Sequence, residues 1–210
     1  MFKALKSTDK TPDGAVVLSH EEAKKQQGIL PVLAAFGFFL GEGILIGAGV
    51  VDFSKWYDLA SGLEFFGIDV LFIIKKDSHR SIAVGHILSP LGMGLANYPG
   101  LLEHSPTTIF AMSLYTASRA FGALGELKKE KDLLKNPFLV RMADNAGVKM
   151  FATGTTSRIA MVAAALPHLH AELPFIVAVG IWAVADTFLA VSASLRPNPK
   201  ASRLLRKPVP

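Results

Sequence analysis

The chain consists of long apolar segments, each about the length of a membrane-spanning helix, separated by polar connections. A helix needs roughly 17 to 25 mostly apolar residues to cross the hydrocarbon core of a bilayer. These segments also lack the polar face that a helix of a soluble domain would show. The sequence therefore predicts an all-α, polytopic integral membrane bundle with about six transmembrane helices. The six segments are 29–50, 59–74, 81–98, 106–125, 150–166 and 173–195.

Lysine and arginine are distributed unevenly between the connections. The two tails and the connections 75–80 and 126–149 hold 19 of the 22 basic residues. Basic residues accumulate in the cytoplasmic connections of membrane proteins. Connections that are rich in basic residues alternate along the chain with connections that are poor in them, so the pattern predicts three antiparallel hairpins with both termini cytoplasmic. The membrane would be a bacterial inner membrane or a eukaryotic organelle membrane. The poor connections, which hold only Lys55 between them, are 51–58, 99–105 and 167–172.

The chain divides into three parts by composition. Residues 1–28 form a polar cytoplasmic tail, residues 29–195 a membrane domain, and residues 196–210 a basic C-terminal tail. A capping box at residues 19–22 predicts a short helix that begins at His20.

The inner connection 126–149 is long enough to have structure of its own. Asn136 followed by Pro137 is typical of a helix start, and Gly147 is typical of a helix end. The apolar residues between these two signals form a short stripe. The connection therefore predicts an interfacial helix on the inner leaflet, and a solvated linker is the alternative.

Two of the six segments have a second interpretation. Segment 59–74 has only 16 residues, which corresponds to about 24 Å of helix. Segment 150–166 opens with several hydroxyl side chains. Each of them is either a full span or a re-entrant or interfacial piece.

Seven ionisable residues lie inside the predicted spans. A charge at this depth costs at least about 2.5 to 3.5 kcal/mol, so it normally faces the bundle interior and a partner. One hypothesis is a proton- or ion-coupled path, and the alternative is a set of ion pairs that hold the helices in place, such as Arg119 with Asp69 and Arg158 with Asp186. The candidate site comprises Glu42, Glu64, Asp69, His86, Arg119, Arg158 and Asp186.

The first span carries two glycine pairs at the spacing that lets helices approach closely. The pairs are Gly37 with Gly41 and Gly43 with Gly47. An interface with another subunit is one interpretation, and packing within the chain is the other. Besides the lipid bilayer, this helix and the cytoplasmic tails predict protein partners. Nucleic acid is not expected, because the basic residues flank apolar segments and form no binding stripe.

The residues present exclude several kinds of chemistry. The absence of cysteine excludes disulfides, thiolate metal sites and iron–sulfur clusters. No P-loop, zinc-protease or serine-hydrolase motif occurs, so the sequence predicts no catalytic residue. Only His86 lies well inside a span, which disfavours a bis-histidine haem and leaves a single pigment ligand open. The possible zinc ligands are Glu103, His168, His170 and Glu172. A zinc site is also disfavoured, because these residues lack the spacing that would place them on one face of a helix.

Three functions are compatible with these patterns. The leading hypothesis is a non-catalytic multi-pass subunit or assembly partner of a larger membrane complex. The alternative is a small transporter or channel that uses the intramembrane charged residues. The third is an intramembrane enzyme that acts on a lipid or another hydrophobic substrate. The sequence identifies no cofactor.

Overall fold

The computed structural model describes residues 20–103, 105–130 and 134–194, with side chains described from residue 28 to residue 193. The predicted N-terminal tail up to residue 19, including the first residue of the capping box, and the predicted tail 196–210 lie outside the described residues. The described part is all-helical. Its α-helices are α1 (His20–Val51), α2 (Trp56–Ile74), α3 (His79–Ala96), α4 (Tyr98–Leu102), α5 (Pro106–Lys129), α6 (Pro137–Met142), α7 (Ala146–Ala165) and α8 (Leu169–Ser194).

Each of the six predicted segments corresponds to one long helix. The predicted short helix does begin at His20, but it continues through Pro31 into the first segment as one helix of 32 residues. α2 begins three residues before its predicted start and has 19 residues, which is about 28 Å of helix. α7 likewise begins earlier than predicted and has 20 residues.

The inner connection contains the predicted short helix, α6, but it ends elsewhere than expected. Asn136 caps it by accepting a hydrogen bond from the backbone N–H of Phe138 at 2.9 Å. The predicted end at Gly147 is wrong, because α6 already ends at Met142. Asn145 then adopts a left-handed conformation with φ of 53°. Asparagine tolerates this region better than most residues, so the chain turns there and Gly147 belongs to α7.

The six long helices form a closed ring in the order α1, α2, α3, α5, α7, α8, with α8 returning to pack against α1. Short connections make successive long helices antiparallel. Ring closure depends on small residues at the α1–α8 contact. A Cβ atom at Gly37 would lie 3.3 Å from the Ala185 methyl, and one at Gly41 would clash with the Trp182 indole. The ring therefore encloses an interior to which all six helices contribute.

The two ends of the ring differ in chemistry. We call the end at which α2 and α5 finish and α3 and α7 begin the basic end, because most described lysines and arginines lie there. At the opposite, aromatic end, the rings of Trp56, Tyr57 and Tyr98 form a cluster with centroid separations of 5.5 to 6.2 Å. Such aromatic clusters are typical of a membrane–water interface.

Two segments of the described chain are long and apolar enough to cross a membrane, namely Gly28–Val51 and Ala146–Ala193. The second is 48 residues long and comprises α7, a turn and α8, which fold back on each other. Only 22% and 39% of the residues in their most apolar windows are buried. Length and composition thus support membrane association for these two segments, and six spans stay a prediction.

Candidate functional site

A cavity with a volume of about 450 Å³ lies inside the ring. All six long helices line it, from Lys129 and Ala193 at the basic end to Glu42 and Trp182 near the middle. The other half of the ring is filled by a buried apolar core. This core separates the cavity from the aromatic end; it includes Leu45, Met93, Ala96, Ala111, Met161, Phe175 and Val179.

Arg158 and Asp186 form a buried ion pair between α7 and α8, which confirms the predicted pairing. Their side chains are 2% and 1% exposed. Arg158 Nη1 also donates to the Trp182 carbonyl at 2.9 Å. The guanidinium carbon lies 5.3 to 5.7 Å from the ring centroids of Phe38, Tyr115 and Trp182. Aromatic faces attract cations, so the arginine is held by a counterion, a carbonyl and three rings.

Small residues make room for this ion pair. A Cβ atom at Gly154 would clash with the Asp186 carboxylate and lie 3.1 Å from Ser118 Oγ. Ser118 in turn donates to the Met150 carbonyl at 2.6 Å, and Ser157 donates to the Ala111 carbonyl at 2.8 Å. These two bonds join α5 to α7 beside the pair.

The predicted ion pair between Arg119 and Asp69 is wrong. No ion pair joins these two side chains in the described part of the chain, and the Arg119 guanidinium lies over the Tyr115 ring at 4.7 Å. α3 stands between α2 and α5 in the ring, so Arg119 and Asp69 interact only at longer range. The nearest ionisable neighbour of Asp69 is an acid on the adjacent helix α1.

That acid is Glu42. The carboxyl groups of Glu42 and Asp69 are within hydrogen-bonding distance of each other. Glu42 is 2% exposed, and its Oε2 atom has no hydrogen-bond partner among the described residues. Two carboxyl groups can form a hydrogen bond only if one of them carries a proton. A hydrogen bond between Glu42 and Asp69 therefore requires a proton on one of the two carboxyl groups.

The remaining two predicted site residues have different surroundings. His86 is buried and lines the cavity, and its ring centroid lies 5.1 Å from that of Phe72. Its Nδ1 atom has no hydrogen-bond partner within the residues that the structure describes. Glu64 lies against the backbone of Gly92 and does not line the cavity. The structure thus brings Glu42, Asp69, His86, Arg119 and Arg158 together around one cavity, with Asp186 behind Arg158.

Aromatic wall residues were not predicted from the sequence. A signal for them does exist, because four of the charged residues have an aromatic residue four positions earlier. Residues at i and i+4 share a helix face, so these aromatic rings turn inward with the charges. The four pairs are Phe38 with Glu42, Phe65 with Asp69, Tyr115 with Arg119 and Trp182 with Asp186.

A second cavity, of about 240 Å³, lies at the aromatic end between α4, α5, α7 and α8. Glu103 and His168 line it and approach each other to 3.8 Å. In the part of the chain that the structure describes, no group of three or more metal-ligating side chains is found.

Beside this second cavity lies a buried acid for which the sequence patterns predict no role. Asp58 is 2% exposed, and no described residue forms a hydrogen bond with its Oδ1 atom. Burial, reinforced by the charge of Glu172, raises the pKa of Asp58 to about 7. Burial also raises the pKa of Glu172. The adjacent Lys55 amino group is held by the Ala171 carbonyl at 2.5 Å.

Comparison of the chain with protein-family models, with curated proteins and with solved structures gave no match. A functional assignment for this site therefore rests on its geometry and chemistry.

Proposed function

We propose that the protein is a six-span integral membrane transporter that moves a small solute through the interior of the helix ring. The distribution of polar and apolar side chains supports six spans. Large apolar residues face outward on all six long helices, for example Phe36, Ile87 and Ile159 with 59 to 68% of their surface exposed. Ionisable groups such as Glu42 and Arg158 are instead buried. A soluble monomer rarely exposes so much contiguous apolar surface, whereas lipid would cover it.

The observation that carries this proposal is the cavity lined by all six helices. It is open towards one end, stops near the middle of the helices and carries charged groups where it stops. Solute sites of many secondary transporters lie near the bilayer midplane between helices that rearrange around them. The packed half of the ring would then be the closed gate, and opening it would expose the same charges to the other side.

Reconstitution into proteoliposomes tests the proposal. Uptake of radiolabelled organic cations, zwitterions or anions would be measured, because uptake is detected whether or not transport moves net charge. We expect saturable uptake with one of these classes. Uptake should be lost in Asp69→Asn and retained in Glu64→Gln, the matched control that removes an acid outside the cavity. Absence of saturable flux for every class in the folded wild-type protein would refute transport.

Assembly with another membrane protein is a second candidate, and the outer face of α1 favours it. The two glycine pairs of α1 have different surroundings. Gly37 and Gly41 pack against α8 within the chain, whereas Cβ atoms at Gly43 and Gly47 would meet no atom of the described residues within 4 Å. The second pair thus leaves a surface that a helix of another subunit could approach closely.

Native mass after gentle extraction tests this second candidate. A hetero-complex that is lost in Gly43→Leu and retained in Gly67→Leu would support the subunit function, since Gly67 also faces open space but lies on α2. A species of 22.5 kDa alone would contradict it.

A further inference from the structure

We infer that the cavity binds an organic cation with an apolar substituent, and that this cation takes the place of the proton shared by Glu42 and Asp69. The inference rests on the proposed transport function, because it names the class of solute and the ion exchanged for it. As the cation enters, the proton would leave through the cavity to the solvent at the basic end.

The charge balance of the cavity supports this exchange. Arg158 and Asp186 neutralise each other. With one shared proton, Glu42 and Asp69 carry a single negative charge, which balances the positive charge of Arg119. Loss of the proton leaves one negative charge uncompensated at a depth where an unpaired charge is costly. A monovalent cation restores the balance, whereas an anion would add to the excess.

The other ionisable groups that face Glu42 do not remove this excess charge. Asp69 on α2 shares the proton. His86 on α3 has a ring with aromatic contact, and its Nδ1 atom has no hydrogen-bond partner in the described part of the chain. Arg119 on α5 and Arg158 on α7 are already included in the balance. Glu64, also on α2, lies outside the cavity wall. Glu126 and Lys129 line the cavity at the basic end and form an ion pair with each other.

The walls of the cavity favour an organic cation over a metal ion. Phe38, Phe39, Phe65 and Phe72 line the same space as the two acids. Aromatic faces attract organic cations, and quaternary ammonium groups are recognised in this way. Calcium instead prefers about six to eight oxygen ligands, whereas the wall has three carboxyl groups, of which that of Glu126 lies at the basic end and pairs with Lys129. The cavity volume of about 450 Å³ is within the range of sites for small organic ligands.

Binding to the purified full-length protein in lipid nanodiscs tests the inference directly. The ligands would be benzyltrimethylammonium, zwitterionic phenylalanine and anionic phenylacetate, which share a benzyl group and differ in charge. Calorimetry in two buffers of different ionisation enthalpy would count the protons released. We expect the cation to bind at least about tenfold more tightly than the other two, with one proton released per site. Below the pH at which the pair titrates, its affinity should fall about tenfold per pH unit, because protons compete with it.

Two acid variants locate the site. Glu42→Gln and Asp69→Asn should each abolish proton release and weaken cation binding by more than about tenfold, whereas Glu64→Gln should leave both unchanged. If a variant does not fold, the ligand preference of the wild-type protein and the number of protons it releases still test the inference. Tighter binding of phenylacetate or phenylalanine, or cation binding without proton release, would overturn the inference.

The outcomes also separate this inference from the proposed function. Cation binding with proton release but without flux in proteoliposomes would support the site and contradict transport. Flux of anions or zwitterions alone, or of sodium ions alone, would support transport and overturn the organic-cation assignment.

Discussion

Replacement of the buried ion pair tests the packing at the centre of the ring. Asp186→Leu removes the counterion of Arg158, whose side chain is 2% exposed. The Nε atom of Arg158 already has no hydrogen-bond partner in the described ranges. The Trp182 carbonyl, at 2.9 Å, would then be the main remaining acceptor of the guanidinium. Removing one member of a buried pair typically costs about 3 to 5 kcal/mol, because the other charge is stranded. This is a large part of a total stability of about 5 to 15 kcal/mol.

Arg158→Met should cost a similar amount, since it strands Asp186, which is 1% exposed. The double variant should be less destabilised than the sum of the two single variants, with a coupling energy of about 1 to 3 kcal/mol. Two apolar side chains of similar volume can replace a buried ion pair without a stranded charge. The free energy of unfolding would be measured in mixed micelles by titration with a denaturing detergent, followed by circular dichroism.

Two controls make the measurement specific. The pair of Arg80 with Glu130 at 2.8 Å has side chains that are 69% and 28% exposed, so Arg80→Met should change stability by less than about 1 kcal/mol. The cycle of Arg119→Met with Asp69→Leu should show weaker coupling than the buried pair, because these side chains are not in contact. Additivity of the Arg158 and Asp186 variants within about 0.5 kcal/mol would refute the assignment of a strong buried pair.

Three further predictions concern topology, pH and packing. A cysteine introduced at Ser54 should react with an impermeant thiol reagent that is added to the non-cytoplasmic face, and a cysteine at Ser78 should not. The opposite labelling pattern would refute the predicted orientation. Because burial raises the pKa of Asp58 to about 7, the folded state binds this proton more tightly than the unfolded state. Stability should therefore fall by up to about 4 kcal/mol as the pH rises from about 4 to about 7, at 1.36 kcal/mol per pKa unit. Thermal unfolding of Asp58→Asn should lack this part of the pH dependence. A variant with the same pH profile as the wild-type protein would contradict the prediction. Gly41→Ala should lower the free energy of unfolding by about 1 to 3 kcal/mol, because the added methyl clashes with an indole ring. Gly43 faces open space, so Gly43→Ala should change the free energy of unfolding by less than about 0.5 kcal/mol. Equal effects of the two variants in detergent unfolding would argue against the α1–α8 contact.

The positions of the long helices could be predicted from the sequence, because a helix depends on local patterns. Apolar runs and capping residues are contiguous in the chain, so five of the six segments agree with their helices within four residues at each end. The exception is α1, which begins nine residues before segment 29–50. Errors occurred where two local signals compete. Gly147 is a common helix end, but Asn145 takes the left-handed position and the glycine continues into α7. Whether α2 and α7 cross a bilayer depends on the surrounding lipid as well as on the helix.

The sequence by itself thus determined that the chain is helical and which seven ionisable residues lie within its apolar segments. Only the tertiary structure decided how they meet, because partner choice depends on which helices are neighbours and how each is rotated about its axis. Arg158 forms an ion pair with Asp186 because α7 and α8 are adjacent. α3 keeps Arg119 away from Asp69, and the contact of α1 with α2 brings Asp69 to Glu42 instead. Closure of the ring, which depends on glycines where α1 meets α8, then encloses these groups in one cavity.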